Sequence, residues 1–223
     1  VDGPPGEPRR LFHVRIVQAM HPNPAFRKTA ADRNLAFARA RGFGVLSVNG
    51  PDGPLMAHVP FLLSDDGKTA DLHLARSNAV IAAGLPAQAI LAVIGPDAYV
   101  SPDWYGVADQ VPTWNYIAVH LRGTLVQLPD EAMDGHVNAL SDRFEARLAP
   151  KPVWKSTKMG DGVMDRMKRM ILPFRLNITT VDGTWKLNQN KTPVARAGVI
   201  VALDAQGGAQ AEIARAMRDL SDD

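Results

Sequence analysis

Short apolar runs alternate with tight-turn sequences along this chain, and the pattern limits it to a fold built on a sheet. Asn49-Gly50-Pro51-Asp52-Gly53 and Asp65-Asp66-Gly67-Lys68 are turn sequences with apolar runs on both sides. Runs at this spacing, with short helices between some of them, favour a small barrel over a parallel sheet with crossover helices. The predicted strands are residues 43–48, 55–63, 70–75, 88–94, 116–128 and 173–181.

Two residues predict irregular points in these strands. Pro60 has no backbone N–H to donate, so the second strand should be bulged or at an edge there. Gly123 interrupts the long alternating run 116–128 and predicts a bend in it.

The predicted helices lie mainly outside the strand-rich part of the chain. Thr29, followed by Asp32, predicts a capped helix that ends at Gly42. Ser77 or Asn78 is expected to cap a short helix at 79–85. Apolar residues at helical spacing and flanking glycines predict four further helices, at residues 130–148, 161–171, 194–203 and 209–220.

Composition indicates one globular domain. The 223 residues, 46% hydrophobic and 22% charged, are enough to bury a substantial core. Residues 1–19 are predicted to be an extension with little order of its own, and residues 20–223 a single barrel domain with a C-terminal helical part. Neither a membrane span nor the apolar core of a secretory signal is visible, so we expect a cytoplasmic protein without a membrane partner.

Residue usage also excludes some kinds of site. The chain has no cysteine, which excludes disulfides, a thiolate nucleophile and sulfur-based zinc sites. The formal charge is only +2, and the one basic cluster, 164–170, is read as the solvated face of a helix. Direct binding of DNA is therefore weakly supported.

Residues 95–123 place rigid aromatic rings beside hydrogen-bonding groups. The two blocks are Tyr99-Val100-Ser101-Pro102-Asp103-Trp104-Tyr105 and Val111-Pro112-Thr113-Trp114-Asn115-Tyr116. An ordinary loop has no physical need for this combination, whereas a site for a flat, polar heterocycle does. We therefore interpret the stretch as part of a binding site, or as its rim.

Three other blocks accompany this stretch, in order: Ala57-His58-Val59-Pro60-Phe61, His73-Leu74-Ala75-Arg76-Ser77-Asn78 and Lys186-Leu187-Asn188-Gln189-Asn190-Lys191. Together the four blocks resemble the PaiB-like family of FMN-binding negative transcriptional regulators. That family is a branch of the split β-barrel flavin-binding fold of pyridoxine-phosphate-oxidase type. The resemblance implies a mainly β split barrel with peripheral and C-terminal helices, FMN as cofactor, and a homodimer with FMN at the subunit interface.

The function remains open between two classes. The resemblance implies an FMN-binding regulator that acts through the state of its flavin. The alternative is an FMN-dependent oxidoreductase that takes electrons from a reduced nicotinamide or another small donor. No nucleophile with a base and an orienting group is visible in the sequence, so the flavin would carry out any chemistry. A member of the family that no longer holds a cofactor is a third reading.

Candidate flavin contacts come from donors at strand ends. Arg76, Ser77 and Asn78 suit the FMN phosphate, although a surface arginine and a helix cap would look the same. By resemblance, His58 and His73 are polar neighbours of the flavin. The alternative is that they are hydrogen-bonded histidines of the barrel. A metal site is disfavoured because no third ligand is clustered with them. The remaining predicted cofactor contacts, for which core packing or a solvated loop are the alternatives, are Thr113, Trp114, Asn115, Lys186, Gln189 and Lys191.

Overall fold

A computed structural model of the chain describes residues 20–220, so the prediction made for residues 1–19 lies outside the described residues. The described residues form a closed antiparallel barrel of six strands in the order β1-β2-β3-β6-β5-β4. The barrel predicted from the turn spacing is confirmed. The strands are β1 (Phe43–Gly50), β2 (Gly53–Leu63), β3 (Thr69–Ala75), β4 (Ala87–Val100), β5 (Thr113–Gln127) and β6 (Ile171–Lys186).

The predicted irregular points lie where the strands change course. Pro60 is paired with Phe43 of β1, and the pairing of β2 with β3 begins only at Phe61. The missing N–H of Pro60 therefore falls where β2 leaves one neighbour for the next. At Gly123 the β5–β6 register shifts, and a Cβ on this residue would lie 1.9 Å from the carbonyl oxygen of Asn177. Only glycine allows so close a backbone approach.

Three strands continue beyond the point where the barrel closes. β1 pairs with β4 only opposite Ala89 to Ala92, whereas β4 continues past an irregularity near Gly95 to Val100. Two strands are longer than predicted. β4 continues beyond residue 94, and β6 continues beyond residue 181 through Asp182 and Gly183, which are both paired with β5. Glycine and proline suggested breaks, but neighbouring strands on the sheet override these local preferences.

The barrel and the extension each bury an apolar cluster. Inside the barrel the strands alternate, and its largest fully buried side chains include Phe61, Leu72, Leu121 and Phe174. The second cluster joins the extended strand ends to the C-terminal helices. It contains Val100, Tyr105, Ile117, Trp185, Leu187, Val199, Leu203, Ile213 and Met217.

The described helices are α1 (Ala31–Arg41), α2 (Ala132–Glu145), α3 (Val163–Lys168), α4 (Pro193–Gln206) and α5 (Gly208–Arg218). The N-cap of α1 is Ala30, which makes no side-chain cap, so the predicted Thr29 cap is wrong, whereas Gly42 ends the helix in the left-handed conformation as predicted. The predicted helix 161–171 is shorter, because β6 begins at Ile171. Within residues 20–220, every helix is too short or too polar to cross a bilayer.

Candidate functional site

The predicted contacts fall into two groups at different ends of the barrel. The β3-end group comprises His73, Arg76, Ser77 and Asn78. It lies at the start of β6, because Ala75 pairs with Ile171 there. The β6-end group comprises Thr113, Trp114, Asn115, Lys186, Gln189 and Lys191, where Tyr116 pairs with Lys186 at the end of β6. A strand of this length extends roughly 50 Å when straight. The two groups therefore lie at opposite ends of β6.

Arg76 directly follows β3, and its side chain makes two polar contacts with residues outside that strand. Its Nε donates to the carbonyl oxygen of Arg169 at 2.7 Å, and its guanidinium lies 3.1 Å from the Asp130 carboxylate. The side chain is nevertheless about half exposed. A phosphate can therefore reach Arg76, in competition with Asp130.

The two residues after Arg76 differ in what they offer. The Asn78 side chain accepts from the Val80 amide at 3.0 Å and so caps the 3-10 helix Ala79–Ala83. This is the capping role that the sequence left open. Ser77 is exposed beside it and keeps its hydroxyl at the surface.

His73 contacts a residue that the sequence interpretation missed. Its Nδ1 lies 3.0 Å from Nε2 of His136 on α2, so one ring donates a hydrogen bond to the other. Burial lowers the pKa of His73, and burial together with the nearby His73 lowers the pKa of His136 to about 4. His136 stands three residues after Met133 on the buried side of α2, and that spacing was the available signal. Within residues 20–220 no cluster of three or more metal-binding side chains includes this pair.

A cavity of about 240 Å³ lies between Arg76 and helices α2 and α3. The Lys168 ammonium on its wall pairs with Asp134 and, at 2.9 Å, with Asp165. Among the described lining residues, three cations face three carboxylates, so charges are balanced. The charged lining residues are Arg76, Lys168, Arg169, Asp130, Asp134 and Asp165.

The β6-end group presents an aromatic surface rather than a core. Trp114 is 54% exposed, and its ring meets that of Tyr99 edge to face with centroids 6.1 Å apart. Beside it, Lys186 Nζ donates to the Thr113 hydroxyl at 2.5 Å, and burial lowers the pKa of Lys186. The sequence left open that Trp114 packs in the core, but the side chain lies at the surface. A flat ring can lie against Trp114 with an ammonium group at its edge.

Asn115 lies in the second core instead of at the surface. It is fully buried, its Nδ2 donates weakly to Met217 Sδ at 3.6 Å, and its Oδ1 has no partner among the described residues. Asn188 is also buried, in the left-handed conformation, and its side chain lies next to the Tyr105 hydroxyl. Unpaired buried groups cost about 1–3 kcal/mol each. Such costs concentrate at functional sites.

The last two contacts of the β6-end group line the turn after β6. The Gln189 side chain bridges that turn, donating to the Trp185 carbonyl and accepting from the Leu187 amide, so its amide group shapes the backbone. Lys191 Nζ donates to Gln110 Oε1 at 2.6 Å and lies over the Tyr105 ring. Both residues also border a larger cavity of about 810 Å³.

His58, the remaining predicted contact, is exposed on the outer face of β2 opposite Val45. Its neighbours on this face are apolar and also exposed: Phe43 (51%), Met56 (60%) and Ile94 (56%). The inward residues of the same strands fill the barrel core, so the outer face has not been used to stabilise the monomer. This face therefore exposes three apolar side chains around a histidine.

Comparison with known proteins identifies the family. The FMN_bind_2 family, described as "Putative FMN-binding domain", matches residues 20–180. The chain belongs to this family. FMN is therefore the cofactor of this domain, as the sequence resemblance implied. The donors at the β3 end and the exposed aromatic surface at the β6 end have the chemistry that a flavin phosphate and ring require.

Relatives agree with this assignment. The Protease synthase and sporulation protein PAI 2 of Bacillus subtilis is 25% identical over 198 residues, which cover 87% of this chain and 94% of that protein. This match confirms the resemblance to the PaiB-like family. An uncharacterized protein of Saccharomyces cerevisiae is 30% identical over 128 residues, or 53% of this chain and 72% of its own length.

Solved structures share the fold. The FAD and heme binding protein from Mycobacterium smegmatis superposes with a TM-score of 0.52 at 18% identity, covering 72% of this chain and 73% of that one. The flavocytochrome Anf3 from Azotobacter vinelandii gives 0.51 at 13% identity, covering 72% and 69%. At such identities the likeness concerns the fold alone, and it confirms the predicted split barrel.

Proposed function

We propose that this protein is a PaiB-type regulator that works as a homodimer, with each FMN held between the β3-end group of one copy and the β6-end group of the other. The observation that carries the proposal is the separation of these two groups along β6. Each group alone is half a flavin site, because one has phosphate donors and the other an aromatic surface. A second copy supplies the missing half.

The outer face of β1, β2 and β4 is the surface on which we expect the second copy to dock. Phe43, Met56 and Ile94 are each more than half exposed there, and His58 lies between the apolar side chains. Homodimer interfaces are typically more apolar than the rest of a protein surface. A self-complementary apolar face on a closed barrel matches that requirement.

Each half of the site has a defined task. Arg76 exchanges its Asp130 partner for the phosphate, and the Ser77 hydroxyl adds a donor. Trp114 covers one face of the flavin ring, while Lys186 holds positive charge at the ring edge. Bound FMN supplies the redox chemistry, and the residues described above bind it, orient it and exclude water from it.

Regulation through the flavin agrees better with this chain than direct binding of DNA. The net charge is only +2, and the basic side chains of α3 are partly neutralised by Asp134 and Asp165. We therefore infer that any effect on transcription passes through another molecule that senses the flavin state. The cytoplasmic location remains a prediction from the sequence.

Mixed dimers test the composite site. Arg76→Gln and Lys186→Gln variants are each expected to elute from gel filtration without visible flavin absorbance after incubation with FMN. If a site uses Arg76 of one copy and Lys186 of the other, co-refolding the two variants restores one intact site in each heterodimer, about a quarter of all sites. If each site lies within one chain, mixing restores none. An Arg41→Gln variant, changed at the exposed end of α1, serves as the matched control.

Turnover separates a regulator from the alternative oxidoreductase. The flavin-loaded dimer is mixed with reduced nicotinamide under anaerobic conditions, and bleaching of the flavin band is followed. A regulator of the proposed type keeps its flavin but shows no sustained turnover when air is admitted. Continuous consumption of the nicotinamide would assign the protein to the oxidoreductases instead.

A further inference from the structure

The cavity of about 810 Å³ adjoins the β6-end group, since Gln189 and Lys191 line it, but its other lining residues are not contacts of the proposed flavin site. It is bordered by the residues before α1, the start of α1, the turn after β6 and the start of α4. Its size falls within the range of small-molecule sites, roughly 300–1,000 Å³.

Its charged lining is cationic. Lys28, Arg33, Lys191 and Arg196 border the cavity, and among the described lining residues there is no aspartate or glutamate. The contrast with the smaller cavity at Arg76 is direct, since that cavity balances its cations with carboxylates. A cavity with this lining attracts anions.

Three of these cations keep their charge unneutralised by carboxylates within residues 20–220. Arg33 packs its guanidinium over the Trp185 ring at 4.6 Å, which orients the group without neutralising it. Lys191 has a neutral partner, Gln110. Lys28 is exposed at the rim.

The start of α1 adds to this field. Thr29, Ala30 and Arg33 line the cavity, and the N-cap residue Ala30 provides no side-chain acceptor for the first amides of the helix. Those amides therefore contribute partial positive charge beside the lysine and arginine side chains. Asp32, in the same first turn, does not line the cavity.

We infer that this cavity binds a small phosphate-bearing anion in addition to FMN, through Arg33 and Lys28, at a site that adjoins the β6-end half of the proposed flavin site. Arg33 is pre-oriented by Trp185 and offers two parallel donors to phosphate oxygens. Lys28, which is exposed and is not part of the proposed flavin site, adds a second positive charge to the cavity lining. Gln189, whose amide is occupied by the backbone, forms part of the wall.

Calorimetric titration of the FMN-loaded full chain with inorganic pyrophosphate, at constant ionic strength, tests the inference. Arg33→Gln and Lys28→Gln are each expected to weaken pyrophosphate binding about tenfold or more while flavin absorbance stays unchanged. Arg41→Gln, at the other end of the same helix, is the matched control and should bind like the wild type.

Three results would overturn the inference. The first is no measurable heat with the wild-type protein. The second is an equal loss in the Arg41→Gln control, which would indicate only a general effect of net charge. The third is release of FMN by pyrophosphate, which would assign the cavity to the flavin. Because flavin occupancy is read separately in every titration, failure of the composite flavin site is distinguishable from failure of this anion site.

Discussion

His73 Nδ1 and His136 Nε2 lie 3.0 Å apart and join β3 to α2 directly beside Arg76. Protonating both rings would place two positive charges against each other in a mostly buried position, so the pair is stable only when at least one ring is neutral. Asp71, the nearby carboxylate that favours the charged form of His136, is already engaged by Arg175 through two hydrogen bonds. The contact therefore holds α2 against the barrel in a pH-dependent way.

Stability should fall as the pH is lowered below about 6.5. In the unfolded chain His136 takes up a proton near its ordinary pKa of 6.5, whereas in the folded protein it does so only near about 4. The unfolded state thus binds more protons in this window, and the free energy of unfolding decreases by on the order of 2 kcal/mol across it. Urea unfolding between these pH values measures the decrease. This decrease in stability should be smaller in His136→Gln; an equal pH dependence in that variant and the wild type would contradict the assignment.

Gly183→Ala should destabilise the fold by about 3 kcal/mol. A Cβ at this position would lie 2.2 Å from Asn34 Oδ1, which accepts the buried Trp185 indole N–H at 2.7 Å and so has little freedom to move. The matched control is Gly135→Ala in α2, where nothing lies within 4 Å of the new Cβ. That change should stabilise the helix by about 0.5 kcal/mol. Thermal unfolding of both variants measures these changes. A Gly183→Ala protein as stable as the wild type would contradict the prediction.

Ile94→Glu should convert the proposed dimer into a monomer and reduce flavin retention with it. The residue is 56% exposed on the apolar outer face, and a carboxylate there would have to be buried in the dimer without a partner. Val201→Glu introduces the same charge at a 70% exposed position on α4 and should leave the dimer intact. Light scattering after gel filtration gives the masses. A wild-type monomer, or an Ile94→Glu dimer, would count against this interface.

Trp114 should report the arrival of the flavin. Its exposed ring forms one wall of the proposed site, so FMN stacked on it quenches tryptophan emission. Trp114→Phe is expected to remove most of the quenching, whereas Trp154→Phe, near α2, should preserve it. Fluorescence titration with FMN measures both. If quenching survives in Trp114→Phe, the flavin lies elsewhere.

The sequence was sufficient for the barrel but not for the ends of its strands. Turn sequences such as Asn49-Gly50-Pro51-Asp52-Gly53 act locally, and their effect is readable. The continuation of β4 beyond Gly95 and of β6 through Gly183 depends on strands far away in the chain, which provide partners that override a local break. The uncapped start of α1 likewise depends on packing of Asn34 and Ala38 and not on Thr29.

The candidate site was predictable by residue type but not by arrangement. Arg76, Trp114 and Lys186 were singled out for donors and rings, and each is accessible or partly accessible. Their division between two ends of one barrel follows from strand register, which no local pattern encodes. His136 and Arg33 were missed because each lies in a helix whose role is defined only by what it packs against.

The continuity of β6 has a practical consequence for where this domain can be cut. The family match ends at residue 180, in the interior of the strand Ile171–Lys186. An expression fragment stopping there would strip the partner from residues 116–121 of β5 and take Trp185 and Leu187 out of the second core. The unpaired edge of β5 would form hydrogen bonds with strands of neighbouring molecules, so such a fragment is expected to aggregate. The smallest autonomous folding unit therefore includes the whole of β6 together with α4 and α5, which supply the rest of the second core.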